Sequence, residues 1–363
     1  MRARYGGRLG LQQRVLPNYR VQFVDLLAAA CEGGLSVFAG QPKPDEGIVS
    51  GVPRLAHSSA AANVHILGGD LYLCHQRGLT AWLEARDPEA LIVEANPRYL
   101  ATPSAVRWMH ARGRRVIGWG LGAPPITGLL PGLRQAQRRR FLRQFDALIA
   151  YSQRGASEYK AAGFPPQRVF VATNSVARRP SSRQHRKPSA DQATILCVGR
   201  LQARKHIDFL LRACAEMPPP QPRLVIVGDG PERRRLELLA RQAFPAAEFT
   251  GAKHGDQLDP HFLEADLFVL PGTGGLAVQE AMAHGLPVIV ARGDGTQDDL
   301  VREGNGWLIP PEDFGALCGT LRLALSDVGK LRTMGDESFR IVSEEVNLEA
   351  MVVSFLAALE APG

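Results

Sequence analysis

The sequence predicts an α/β protein made of two doubly wound, parallel-sheet units. Three observations lead there. Short apolar runs of strand type alternate with amphipathic stretches along the whole chain, the pattern of parallel strands joined by helical crossovers. A basic stretch at 178–189, containing Pro and Ser and free of large apolar residues, interrupts that alternation near the middle and has linker composition. The 363 residues are about twice the length of one typical compact domain.

In chain order, the clearest strands of the first half fall at 35–39, 91–95, 116–119 and 147–151, each bounded by turn residues. A helix at 103–112 carries Val106 and Met109 three apart and stops at Gly113, a residue that ends helices readily. The segment 133–145 puts Leu133, Phe141, Leu142 and Phe145 near one face, against Arg134, Arg138, Arg139, Arg140 and Arg143. Such a helix either packs on the first sheet with a solvated basic face or rests on an anionic membrane surface. Beyond the linker, strands restart at 194–198, 224–227, 267–270 and 287–291, each followed by a helical pattern. After Pro310 the chain turns helical, with 314–325 and 348–359 showing apolar positions at helical spacing. The expected divisions are therefore 1–177, a linker at 178–190, a second unit at 191–345 and a closing helix at 346–363, whose return to the first unit is left open.

Composition narrows the function classes. At 45% hydrophobic and 22% charged residues, the chain is neither disordered, collagenous nor a polytopic membrane protein. Its net charge of +7 suits an acidic partner such as a sugar nucleotide, an anionic lipid or a nucleic acid. Nucleic acid is the weakest of these, because the arginines are not interleaved with aromatics in any known module. Five scattered cysteines form no close pair and fit neither a disulfide framework nor a zinc knuckle. No apolar core of signal length follows the basic start, and no run approaches the roughly 18 apolar residues of a spanning helix. The expected location is the cytoplasm, with peripheral attachment to the inner face of the membrane as a variant.

Chemistry concentrates at strand ends in the second half. Gly199-Arg200-Leu201 through Lys205 follows the 194–198 strand and enters a helix with Phe209, Leu210 and Leu211 on its apolar side. Ligands of open α/β sheets bind outside the carboxyl ends of strands, so a planar Arg fork and a mobile Lys charge there suit a diphosphate. Standing alone, the same run reads equally well as a solvated basic turn. Gly228-Asp229-Gly230-Pro231 ends the next strand as a tight turn, with Pro expected at a helix start. Pro271-Gly272-Thr273-Gly274-Gly275-Leu276 then joins a strand to a helix that carries one acid, Glu280. Backbone N–H groups at that helix start make an anion site, with a spacing that is neither a P-loop nor a dinucleotide fingerprint.

With these segments in view, the second half resembles the donor domain of GT-B glycosyltransferases of the family 4 type. The matches are Gly199-Arg200-Leu201 with Lys205, Gly228-Asp229-Gly230-Pro231, Phe249-Thr250-Gly251, Ala265 to Pro271, Glu280-Ala281-Met282-Ala283 with Gly285-Leu286-Pro287-Val288, and the late turn Gly304-Asn305-Gly306-Trp307-Leu308. The resemblance covers 147–309 well and the N-terminal portion in outline. It implies a GT-B architecture, two Rossmann-like domains facing across a cleft, and transfer of a hexose from a nucleoside diphosphate sugar to a hydroxyl acceptor with retention. In the family the Arg and Lys hold the diphosphate and the final Glu bonds the ribose. Carried over, Arg200 and Lys205 become the catalytic pair and Glu280 the ribose contact. Gly199, Gly228, Gly230, Gly272, Thr273, Gly274, Gly275 and Leu276 complete the donor site. The implied co-substrate is a UDP or GDP sugar, with no cofactor and no metal, and the acceptor is a glycan, a lipid-linked or a small-molecule hydroxyl compound.

The chain departs from that pattern in places. The family places two glutamates eight positions apart; counting back from Glu280 reaches Gly272, in a loop about three residues shorter than usual, so the acid that meets the donor sugar is missing. Asn174-Ser175-Val176-Ala177 stands where Asn-Gly-Val-Asp is usual. Trp119-Gly120-Leu121-Gly122 stands where members often carry a catalytic His, and His57, His65, His75 and His110 lack motif context. Leu16-Pro17-Asn18-Tyr19-Arg20 replaces the usual Gly-rich first turn. Tyr19, Arg20, Asn96, Arg98, Trp119 and Gly120 are the acceptor-side candidates, and the Tyr19-Arg20 and Asn96-Arg98 segments suit helix capping equally. Two rivals stay open: a sugar-nucleotide epimerase or hydrolase, and a non-catalytic sugar-nucleotide-binding subunit.

Overall fold

The computed structural model describes residues 4–126, 130–182 and 192–361. The chain divides into two compact units, Met1–Val176 with Leu348–Gly363, and Ala177–Asn347. Of the linker expected at 178–190, residues 183–190 lie outside the described residues.

The first unit runs β1 (Leu9–Val15), α1 (Val21–Ala29), β2 (Leu35–Gly40), β3 (His57–Ile66), β4 (Leu73–Arg77), α2 (Leu79–Arg86), β5 (Ala90–Glu94), α3 (Thr102–His110), β6 (Arg115–Gly120), α4 (Pro131–Leu142), β7 (Ala147–Ala150), α5 (Gln153–Ala161) and β8 (Val169–Val171). The strands form one sheet in the order β4-β3-β2-β1-β5-β6-β7-β8, parallel throughout except that β4 runs antiparallel to β3. Both faces are covered, and side chains alternate between two apolar clusters: Ala90 and Ile92 in one, Leu91 and Val93 in the other. Double-sided burial is why these strands read as near-continuous apolar runs. The short run at 147–150 behaves likewise, with Ala147 and Ile149 on one face and Leu148 and Ala150 on the other. Helix α3 stops as its residues dictate: Gly113 takes a φ of +66°, and Arg114 N donates to Met109 O at 3.1 Å.

The second unit runs β9 (Thr194–Val198), α6 (Ile207–Ala215), β10 (Arg223–Val227), α7 (Arg233–Ala243), β11 (Glu248–Gly251), α8 (Asp259–Glu264), β12 (Leu267–Leu270), α9 (Leu276–Ala283), β13 (Val288–Ala291), α10 (Thr296–Leu300), β14 (Gly306–Ile309), α11 (Phe314–Leu325) and α12 (Val328–Glu344). Its parallel sheet has the order β11-β10-β9-β12-β13-β14. Asp266 ties the start of this sheet together, its Oδ2 accepting from Thr194 N at 2.9 Å. The last helix, α13 (Leu348–Glu360), belongs to the first unit, where Phe355 packs edge-on to Phe23 and Trp119 at 4.8 and 5.0 Å between ring centroids.

Two expectations need correction. Leu133 does not share the buried face of α4: it is exposed, while Phe141, Leu142 and Phe145 are buried, because the helix starts at Pro131 with its first turns in solvent and only its end packs on the sheet. Pro231 lies in the turn after β10 rather than in the helix, which begins two residues later at Arg233.

Candidate active site

Each sheet reverses its strand order once beside its first strand, at β1/β5 and at β9/β12. Such switch points open the crevice where ligands of open α/β sheets bind. In the second sheet, β9 and β12 pair only at Leu267↔Ile195 and Phe268↔Leu196, so their carboxyl ends are free of each other. Beside this gap the turns after β9 and β10 stack backbone on backbone. Gly199 N donates to Val227 O at 3.0 Å and Leu201 N to Asp229 O at 2.9 Å. A Cβ on Gly228 would fall 1.9 Å from Gly199 O, and one on Gly230 2.3 Å from Leu201 O, so only glycine allows this approach.

The turn Ala203–Lys205 carries Lys205 inward until 7% of it is exposed. The loop before α9 seats on that turn: Thr273 N donates to Arg204 O at 3.0 Å, and Arg204 Nη1 to Thr273 O at 3.4 Å. The Lys205 ammonium lies 3.5 Å from the point a Cβ on Gly274 would occupy, beside the backbone that leads into α9. A cation and a helix N-terminus thus converge on one spot, which suits a doubly charged phosphate group. Burial, reinforced by the neighbouring Arg204 charge, pushes the Lys205 ammonium down to about 8, against a small opposing effect of Cys197. Among the described residues no carboxylate comes within 4 Å of it, so the cation is desolvated with no anion from these residues beside it.

Of the other donor-side residues, Arg200 is exposed on the loop after β9. Glu280 sits half-buried in α9; burial pushes its carboxyl up, Asp259 adds to that, and His284 opposes it. His284 is stacked on Phe262 at 4.7 Å and hydrogen-bonded to Glu280 O and Asp259 Oδ1 at 2.8 and 3.2 Å. The structure therefore gathers Gly199, Lys205, Gly228, Gly230 and the 272–275 turn, with Leu276 opening the helix. Arg200 and Glu280 lie on the flanking loop and helix.

On the first unit, Asn96, Arg98, Trp119 and Gly120 line a cavity of about 580 Å3 together with Glu94 and Tyr151. Tyr19 and Arg20 are not among its lining residues. Tyr19 is largely exposed, and Arg20 is buried with its guanidinium carbon 4.7, 5.4 and 5.5 Å from the ring centroids of Trp119, Tyr151 and Tyr19. Desolvated stacking of that kind is worth about 2 kcal/mol. Asn96 also caps a turn, its Oδ1 accepting from Arg98 N at 3.0 Å. Trp119 is a core wall, 1% exposed. Sequence reasoning named the segment around Glu94 without singling that residue out; its only signal was an acid closing an apolar strand. The histidines find ordinary settings, His110 beside Asp146 at 3.1 Å and His65 bonded to the Tyr72 hydroxyl at 2.9 Å, while His57 and His75 are exposed. Among the described residues no three His, Cys, Asp or Glu side chains are placed to hold a metal ion. All five cysteines are buried and free, and no described helix is long and apolar enough to cross a membrane.

Comparison with known proteins bears on the fold and on the family the chain resembles. Residues 178–340 match the family model described as glycosyl transferases group 1. The chain is 36% identical over 184 residues, 48% of its length and 47% of the relative's, to a GDP-mannose-dependent alpha-mannosyltransferase of Mycobacterium tuberculosis. It is 27% identical over 279 residues, 70% of its length and 69% of the relative's, to a GDP-mannose-dependent alpha-(1-6)-phosphatidylinositol monomannoside mannosyltransferase of Mycolicibacterium smegmatis. The matches above 35% identity span only half or less of the relatives' length. Among solved structures, Anabaena Alr3699/HepE in complex with UDP superimposes with a TM-score of 0.73 at 17% identity, covering 98% of this chain and 100% of that one. The chain thus has the GT-B fold, and its segment 178–340 is similar to the glycosyl transferases group 1 family.

Proposed function

We propose that the protein is a hexosyltransferase that moves a sugar from a UDP or GDP sugar to a hydroxyl acceptor, with retention and without a metal. The observation that carries this reading is the buried Lys205, with no carboxylate within 4 Å among the described residues, beside the Gly274 backbone at the β9/β12 switch point. The M. tuberculosis relative is named as GDP-mannose-dependent and the Anabaena neighbour was solved with UDP, which supports a nucleotide-sugar donor and leaves both bases in play. In this reading Lys205 and Arg200 neutralise the diphosphate as the bond from the anomeric carbon to its oxygen breaks, and the α9 N-terminus stabilises the same charge. The acceptor hydroxyl attacks from the face the diphosphate leaves, and its proton passes to the departing phosphate oxygen, so no protein nucleophile is needed. Gly272 fits that scheme, since it offers no carboxylate. Glu280 holds the ribose. The acceptor binds the first unit, and the exposed Arg134, Arg139, Arg140 and Arg143 of the α4 region draw the protein to anionic membrane lipid that presents a lipid-linked acceptor, from the cytoplasmic side.

Ligand-observed NMR with UDP, GDP, dTDP and ADP sugars tests the donor assignment. One base should bind, and Arg200→Ala or Lys205→Ala should weaken kcat/KM for that donor by about 10- to 150-fold, the worth of one charge-assisted hydrogen bond. Full activity in the double variant, with its circular dichroism unchanged, would remove the donor site and the reading with it. Product analysis without acceptor separates a transferase from an epimerase or hydrolase.

A further inference from the structure

The turn that presents Lys205 carries a second cation to the same place. Gly274 takes a φ of +75°, in the left-handed region that favours glycine, and the space a side chain would fill there stays open. Apart from its own chain neighbours, a Cβ at that position would meet two atoms of the described residues within 4 Å. They are Arg204 Nη1 at 3.3 Å and Lys205 Nζ at 3.5 Å. Both are cationic side-chain nitrogens, and they face one point on the backbone that leads into α9. Arg200 does not come within 4 Å of that point.

Neutral groups hold Arg204 there. Its O accepts from Thr273 N at 3.0 Å, its Nη1 donates to Thr273 O at 3.4 Å, and its Nε donates to Gln202 Oε1 at 3.1 Å. A guanidinium has five N–H groups, so most of its donor capacity remains, and the side chain is exposed. In the same unit Arg223, Arg233, Arg235, Arg302 and Arg340 each take a carboxylate at 2.5 to 2.8 Å. Among the described residues Arg204 has none within 4 Å, and neither has Lys205. Two like charges side by side repel, and the bonds to Gln202 and Thr273 hold the guanidinium in place against that repulsion. An anion completes such an arrangement. Charge-assisted bonds are about 2.8 Å long, so the oxygens of one phosphate group beside Gly274 can reach both nitrogens.

We propose that Arg204 is a donor-binding residue that, together with Lys205, clamps one phosphate of the nucleoside diphosphate over Gly274. This rests on the transferase reading and adds a side chain to its donor site. The matched pattern fixes Gly199, Arg200, Leu201 and Lys205 and leaves position 204 open, so the assignment comes from the geometry alone. Burial pushes the Lys205 ammonium down, the Arg204 charge adds to that, and the Cys197 thiol on β9 opposes it. The segment 271–279 brings no titratable side chain, and Glu280 beyond it is acted on by Asp259 and His284. His206, next in the turn, has Glu312 at 3.8 Å.

Calorimetric titration of the full chain with UDP and with GDP tests this in the wild type, Arg204→Gln, Arg204→Lys and Lys205→Ala. Arg204→Gln should weaken the nucleotide that binds by about 10- to 150-fold, the worth of one charge-assisted hydrogen bond, with circular dichroism unchanged. Losing the neighbouring charge lifts the Lys205 ammonium, so the fall in affinity with rising pH should begin at a higher pH than in the wild type. Arg204→Lys keeps the charge and loses the bonds to Gln202 and Thr273. It should recover part of the affinity and keep the salt dependence of the wild type, which Arg204→Gln should reduce. An equal loss in both Arg204 variants would make the residue a brace for the 272–275 turn and overturn the proposal. Wild-type affinity in Arg204→Gln, with binding lost in Lys205→Ala, would overturn it and leave the transferase reading standing. A pH profile that Arg204→Gln leaves unmoved would separate the two charges and overturn it as well. A wild type that binds neither UDP nor GDP would sink the reading and the proposal together.

Discussion

Replacing Gly272 by Ala isolates how closely the loop before α9 is seated on the turn that carries Lys205. A Cβ at that position would lie 2.2 Å from Arg204 O and 2.4 Å from both Lys205 C and Cα. Carbon and carbonyl oxygen normally approach no closer than about 3.3 Å, so the two backbones must part by about 1 Å. Neither side is a flexible side-chain end that could swing away. The φ of Gly272 is outside the left-handed region, so alanine is conformationally allowed and space is the whole objection. Overpacking of this kind costs about 1 to 3 kcal/mol. At roughly 2 to 4 °C per kcal/mol for a unit of this size, Tm should fall by about 2 to 12 °C. The functional loss should be larger, because the displaced loop carries the Gly274 backbone away from the Lys205 ammonium, and a misplacement of about 1 Å costs on the order of 100-fold. Differential scanning fluorimetry and a nucleotide-sugar titration read both effects. A Tm within about 1 °C of wild type together with unchanged affinity would refute the close seating and the cradle built on it. Gly272→Glu, which restores the acid the family pattern expects, should raise no activity for the same reason.

Three other perturbations follow from the site. The Lys205 ammonium is held down to about 8, below the ordinary lysine range, so between about 8 and 10 the unfolded chain binds more protons and stability without ligand should rise with pH. Lys205→Met should flatten that rise, raise Tm at about pH 7 by removing a desolvated charge, and abolish nucleotide binding; nucleotide affinity equal to wild type would exclude a diphosphate role. In the wild type, affinity should fall between about pH 7 and pH 9 as the free ammonium loses its proton, which calorimetry in buffers of different ionisation enthalpy would show as proton uptake. Glu280→Gln should raise KM for the donor about 10-fold with kcat little changed, since a ribose contact is nearly the same in ground and transition states; a matching fall in kcat would place Glu280 in the chemistry. Changing Arg134, Arg139, Arg140 and Arg143 to Gln, while sparing Arg138, whose Nη1 bonds the Pro124 carbonyl, should release the protein from anionic vesicles at low salt, at about 1 kcal/mol per residue. Equal co-sedimentation would leave those arginines a solvated face.

What could be read from the sequence depended on how a residue's surroundings are written locally. The strands at 147–150 and 267–270 were legible because burial on both faces leaves an unbroken apolar run between turn residues. The Gly199 to Lys205 segment was legible because its chemistry sits within seven consecutive residues. The run His-Ser-Ser-Ala-Ala-Ala-Asn-Val-His-Ile gave no strand signal, since β3 and its antiparallel partner β4 finish the sheet with largely exposed or half-buried residues. Leu133 misled because helical spacing cannot reveal which turns of α4 project beyond the sheet. An amide network that ends at Glu94 joins Gln12 to Gln76 across 64 positions and to Glu94 across 82, and nothing in the local sequence announces it.

Helix α13 has a consequence for the order in which the molecule can be made. Arg20 and Met351 touch although 331 positions separate them, and Phe355 closes the core around Phe23 and Trp119. During synthesis the first unit therefore waits, its β1 to β8 sheet uncovered on the α13 side, until the whole of the second unit has emerged. The second unit, continuous from Ala177 to Asn347, has no such delay and can complete its fold first. The interval exposes apolar surface on the earlier-made half, which makes that half the more aggregation-prone one, the more so the slower the second unit is elongated.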